Sequence, residues 1–158
     1  MTTHFPLLGK RFTDAFSPIE TKGVPWAPLI KPLIDCKVAM VTTAGVHHKN
    51  QQPFDMNDPD GDPTYRILDV TRPITELMVT HDYYDHSGAD KDINIVFPVQ
   101  RLLEFESEGH IGKLAEIHFG VMGHIVGRHT KTFLKQIAPE VARKLNEDNV
   151  DVVLLTPG

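Results

Sequence analysis

A series of short apolar runs, each leading into turn-forming polar residues, most tightly constrains what this chain can fold into. Val38 to Val41 passes into Thr42-Thr43-Ala44-Gly45, and TYRILDV (residues 64–70), TELMVTH (75–81), AEIHFGVMG (115–123) and VDVVLLTPG (150–158) repeat the pattern. Runs this short and rich in β-branched residues read as strands, several of them buried on both faces. Between them lie two stretches with helical periodicity. From Phe97 to Glu108, Pro98 suits a first turn, Val99, Leu102, Leu103 and Glu106 fall at i, i+3, i+4 and i+7, and Gly109 can end the helix. From Thr130 to Asn146, Phe133, Leu134, Ile137, Val141 and Leu145 share one face, with Pro139 forcing a kink or restart. Strands alternating with helices predict an α/β fold, Rossmann-like and layered around a mainly parallel sheet. Residues 1–35 differ: Pro6, Pro18, Pro25, Pro28 and Pro32 punctuate them, with Phe5, Phe12, Phe16 and Trp26 between. They predict an extended Pro-rich arm wrapping the domain or a neighbouring subunit, with the α/β domain over 36–158.

Composition removes several function classes. The 158 residues carry a net charge of −5 and no Lys/Arg stripe, which argues against nucleic-acid binding. No apolar run approaches the ~20 residues of a membrane span. The start, MTTHFPLLGK, lacks the basic and apolar regions of a secretion signal, so the expectation is a soluble cytoplasmic protein. Cys36 is the single cysteine; it allows no internal disulfide or Cys-rich zinc site and reads as an inert thiol.

In parallel α/β sheets, ligands bind beyond the carboxyl ends of the strands. The polar residues gather at such positions: Thr42, Thr43, His47 and His48 after one run; Thr80, His81, Asp82 and Asp85 after another; Gly120, Gly123 and His124 after a third; and Thr156 to Gly158 after the last. His81 to His86 (HDYYDH) can hold a divalent metal, form an acid/base pair, or be a polar loop with a capping aspartate. It has no HExxH spacing, and no metal ligands are assigned. Asp90, Lys91 and Asp92 read as a solvated turn that could orient the histidines. His47 and His48 open a long polar excursion of the sort that often carries function. His118 lies in an apolar strand and reads as a hydrogen-bonded core histidine, while His4, His110 and His129 read as surface. GVMGH lacks both the glycine spacing of a dinucleotide fingerprint and a clear following helix.

VAMVTTAGVH, QPFD, LMVTHDYYDHSGADKDINIVFP, HFGVMGHI and DVVLLTPG, in this order from Cys36 to Gly158, resemble the selenoprotein B family of the glycine/sarcosine/betaine/D-proline reductases. The resemblance implies reductive cleavage of a carbon–nitrogen bond in a small amine. It implies a selenocysteine or cysteine nucleophile, with a resolving cysteine, beyond the strand DVVLLTP. The chain is then expected to be truncated just before that residue, through a UGA codon read as a stop or a boundary of other origin. The cofactors implied are that selenocysteine and a pyruvoyl group on a larger partner subunit; a homo-oligomer is expected as well. Carried over by motif, His81, Asp82, Asp85 and His86 are candidate proton donors or orienters. Thr42, Thr43, His47, Gly123 and His124 are candidate walls of the substrate pocket. Two other readings stand beside this one: a non-catalytic scaffold subunit, and a metal-dependent hydrolase or lyase using HDYYDH.

Overall fold

The computed structural model describes Ala27 to Gly158; most of the Pro-rich arm, with His4, lies outside the described residues. The central strand is β1 (Lys37–Thr42), whose alternation sorts its side chains onto two sides. Val38 and Met40 enter one core with Val46, Leu68, Phe97, Val99 and Leu102, whereas Ala39 enters a second with Phe119, Val141 and Leu145. A sheet apolar on both faces needs cover on both. The first face is covered by the 89–97 segment and helix α1 (Val99–Ser107), the second by a helical arm spanning residues 127–147.

The α/β class holds, but the sheet is mixed and the Rossmann-like layering does not carry through. β1 pairs in parallel with β5 (Lys113–Leu114), β6 (Ile117–Val121) and β7 (Val152–Thr156), while β3 (Tyr65–Asp69) runs antiparallel to β6. β2 (Val46–His48) and β4 (Leu77–Val79) form a separate antiparallel ribbon. The cause lies in the connection after β2. A parallel return needs a crossover, usually a helix; the Asp/Pro/Gly-rich residues 49–64 form no helix, so the chain re-enters the sheet from the end it had just reached. His47 and His48, expected in a polar excursion, are instead buried strand residues of β2.

One buried and one half-buried polar residue have structural duties. Between β5 and β6 the chain steps away from β1, and the Met40 amide donates instead to His118 Nδ1 at 2.8 Å. Glu106, at the last apolar slot of α1, accepts the Leu114 amide at 2.9 Å. α1 ends as expected at Gly109, whose φ is +75°.

The second helix begins earlier than its periodicity suggests. It runs as α2 (Gly127–Thr132), a π-helical turn (Phe133–Ile137) and α3 (Ala138–Glu147). A helix therefore does follow the GVMGH segment, and the case against a dinucleotide fingerprint rests on glycine spacing alone. The disturbance expected at Pro139 falls just before it. The proline ring crowds the carbonyl four residues upstream, and the wider π turn relieves that clash.

Candidate active site at the end of the parallel strands

The chain reverses at Thr43–Gly45, and neighbouring strand ends converge on that reversal. Thr43 N donates to Thr156 O at 2.9 Å, Gly45 N to Val121 O at 3.0 Å, and Thr80 N to Gly45 O at 3.0 Å. Exits from β1, β4, β6 and β7 are thus fastened into one floor. Gly45 makes this possible: its φ is +72°, and a Cβ there would stand 2.4 Å from Thr80 O. Gly45→Ala is expected to cost about 2 kcal/mol or more of stability, read as a lower urea midpoint at an unchanged m-value; a midpoint equal to wild type would refute the close approach.

His81 turns its ring into this floor and is only 5% exposed. Its Nδ1 faces the Tyr83 amide at 3.2 Å and its Nε2 the Gly123 amide at 3.3 Å. Burial, reinforced by nearby His124, lowers its pKa below the ordinary histidine value. Tyr84 backs the ring edge-on at 4.9 Å between centroids and donates its hydroxyl to Ala44 O at 3.0 Å. Gly158 lies against Ala44 and Tyr84, and its amide donates to Thr43 Oγ1 at 3.3 Å. Thr43, His81, Tyr84, Gly123 and Gly158 therefore border one spot.

The other candidates sit at different depths. Thr42 is fully buried, its hydroxyl donating to Val96 O at 3.0 Å. His47 is also fully buried, with Nδ1 2.8 Å from His48 O and Nε2 2.8 Å from Thr80 Oγ1. It touches the floor only through Thr80. His124 stacks on Tyr83, centroids 3.9 Å apart, and its Nε2 is 3.0 Å from Pro59 O, on the rim. Asp82 and Asp85 are exposed; Asp85 accepts from the Ser87 amide, which lowers its pKa. His86 pairs with Asp90 at 2.9 Å. Among the described residues, no three His, Cys, Asp or Glu side chains group as metal ligands.

Sequence reasoning missed two features. The first is Tyr84: in HDYYDH the imidazoles and carboxylates carry the chemical signal, and the part of the aromatic follows only from its packing on His81. The second is a latch holding the 58–60 turn to α2. Arg128 pairs with Asp58 and Asp60, and His129, expected at the surface, pairs with Asp58 at 3.0 Å. Only the fold brings those segments together. Cys36 is fully buried at the opposite end of β1. Among the described residues, no helix is long and apolar enough to cross a membrane.

Comparison with known proteins adds to this geometry. The chain is 39% identical over 146 residues to the D-proline reductase subunit gamma of Acetoanaerobium sticklandii, covering 92% of this chain and 58% of that protein. It is 31% identical to a glycine reductase complex component B subunit gamma of Carboxydothermus hydrogenoformans, covering 94% of this chain and 34% of that one. It is 30% identical to a sarcosine reductase complex component B subunit beta of Peptoclostridium acidaminophilum, with 95% and 34% covered. The chain thus spans between about a third and three fifths of these relatives' lengths. No solved structure matches. The profile of the glycine/sarcosine/betaine reductase selenoprotein B family matches residues 6–158, and the chain belongs to that family.

Proposed function

We propose that this chain forms the amine-facing part of a cytoplasmic selenoprotein B-type reductase. The reaction is reductive cleavage of a C–N bond in glycine, betaine, sarcosine, D-proline or a related amine. The observation that carries this reading is the convergence of Thr43, His81, Tyr84, Gly123 and Gly158 at the ends of β1, β4, β6 and β7. A C–N bond is exchanged for C–H and N–H bonds, which consumes two electrons and two protons. A selenol–thiol or dithiol pair supplies both and ends as a selenosulfide or disulfide. Cys36, buried at the far end of β1, is no candidate for that pair. In this reading the chalcogen is supplied from outside these 158 residues and meets the amine beside Thr43 and Tyr84.

Within the site, His81 holds or donates a proton, with Asp82, Asp85 and His86 orienting the loop around it. Thr43, Gly123 and His124 bound the pocket, while Thr42 and His47 fix its floor from below. Partners in this reading are a larger pyruvoyl-bearing subunit and a second copy of the chain. The relatives named above are all subunits, which favours such an assembly. So does β7, whose outer edge has no strand partner among the described residues and whose Leu155 is 72% exposed. The test is an amine-reduction assay on the assembled complex, with each of the four amines and a dithiol as reductant. The expected result is amine consumption matched one-to-one by dithiol oxidation. Amine loss without thiol oxidation would point to a lyase or hydrolase and overturn the proposal.

A further inference from the structure

The ribbon of β2 and β4 has an outer edge that no strand of the described chain pairs. Its ladder bonds fall on alternate residues. Thr80 N donates to Gly45 O at 3.0 Å and Lys49 N to Glu76 O at 2.8 Å, with His47 opposite Met78 midway between. In an antiparallel pair, the residues between such rungs turn their N–H and C=O groups outward. On the β2 side those groups are used. The His48 amide donates to Gln51 Oε1 at 2.8 Å, and Gln51 Nε2 donates to Ile67 O at 2.8 Å, which stitches the ribbon to β3. On the β4 side the Leu77 amide donates to Ile74 O. The Leu77 carbonyl and both backbone groups of Val79 have no protein partner among the described residues, although Leu77 is only 9% exposed and Val79 6%. Backbone groups so placed call for a further strand.

This edge and the 89–94 segment line a groove of about 450 Å³, room for a few extended residues rather than for a second sheet. Its lining is apolar at Ile74 and Ile93 and charged at Lys49, Asp90, Lys91 and Asp92. The two carboxylates are engaged. Asp90 pairs with His86 at 2.9 Å, and Asp92 accepts from the Asn94 amide at 3.0 Å and from its Nδ2 at 2.8 Å. The two ammonium groups are exposed and stand in no ion pair among the described residues. The unmatched charge of the groove is therefore positive.

We propose that this groove binds an extended acidic segment of a partner protein by strand addition to β4. The Leu77 carbonyl and the Val79 backbone complete a ladder with it, its apolar side chains rest on Ile74 and Ile93, and its carboxylates meet Lys49 and Lys91. Strand addition draws affinity from main-chain bonds and specificity from alternate side chains; complementary charge adds orientation and a faster encounter. None of Thr43, His81, Tyr84, Gly123 and Gly158 lines the groove, so this surface does not depend on the reductase reading.

The test is hydrogen exchange at the Val79 amide, read by NMR on the 158-residue chain. Two acetylated peptides are added in turn, Ser-Glu-Val-Glu-Val-Glu-Ser and its lysine counterpart Ser-Lys-Val-Lys-Val-Lys-Ser. The expected result is saturation by the acidic peptide below about 1 mM, with Val79 exchange slowed at least about tenfold. The same peptide fully N-methylated keeps its charge but loses its donors, and is expected to leave Val79 unprotected. Lys49→Glu and Lys91→Glu, both at exposed positions, are each expected to weaken binding at least about fivefold, an effect that shrinks in about 0.5 M salt. Equal binding of the lysine peptide, acidic-peptide binding with Val79 exchange unchanged, or no saturation would overturn the proposal. So would a Val79 amide already as protected as the paired Met78 amide before peptide is added. Such protection at every protein concentration would mean that residues before Ala27 fill the edge, and protection only at high concentration a second copy. Failure of the amine-reduction assay would leave this binding result untouched, so the two readings fail separately.

Discussion

Lowering the pH from 7 to 4 is expected to remove about 3 kcal/mol of folding stability through His118 alone. This residue is fully buried against Phe97, and burial pushes its pKa down to about 4 from an ordinary 6.5. Its Nδ1 accepts the Met40 amide, so protonating that nitrogen sets two donors against each other. The folded value lies below the unfolded one, so between the two the unfolded chain binds more protons. The stabilisation is complete above about pH 6.5 and is lost as the pH falls through 4. His47, His48 and His81 are also held low by burial and act in the same direction. Substitution isolates the His118 share. His118→Asn keeps an acceptor for Met40 without a titrating group, and should flatten the urea-derived stability between pH 7 and 4. His118→Leu leaves the Met40 amide buried and unpaired and should cost about 1–3 kcal/mol at pH 7. An undiminished pH slope in the asparagine variant would contradict this assignment.

How much of this was legible in the sequence depended on how local each cause is. Strand positions showed because β1 is itself a short apolar run that the core buries on both faces, and α1 showed because Pro98 and Gly109 mark its ends. The parallel direction of β1, β5, β6 and β7 was expected, but the antiparallel entry of β3 did not show, since it is decided by residues 49–64 failing to form a crossover helix. His118 read correctly as a core histidine, but its bond to Met40 spans the break between β5 and β6, which no local pattern reveals. The π turn was half legible: Pro139 announced a disturbance, while the clash it relieves lies upstream. For the site, the glycines of the 120–123 segment marked a close backbone approach, and His81 was visible within HDYYDH. That His47 would sit beneath the floor depended on β2 pairing with β4, about thirty residues away.

The second large effect concerns the proposed amine reduction by the assembled complex. Replacing His81 by Gln keeps a side chain of comparable reach but removes the titrating imidazole and the ring packing on Tyr84. A positioned proton donor contributes about 10²- to 10⁴-fold to rate, so His81→Gln is expected to lower kcat by at least about a hundredfold. Asp82, exposed at the loop surface, is expected to matter far less when replaced by Asn. The measurement that bears most directly on the account is kcat for amine reduction by the assembled complex carrying His81→Gln, read beside the thermal midpoint of the same variant. The account predicts a kcat collapse of two orders of magnitude or more with a midpoint within a few degrees of wild type. Wild-type turnover, or a loss of activity matched by loss of the fold, would contradict it.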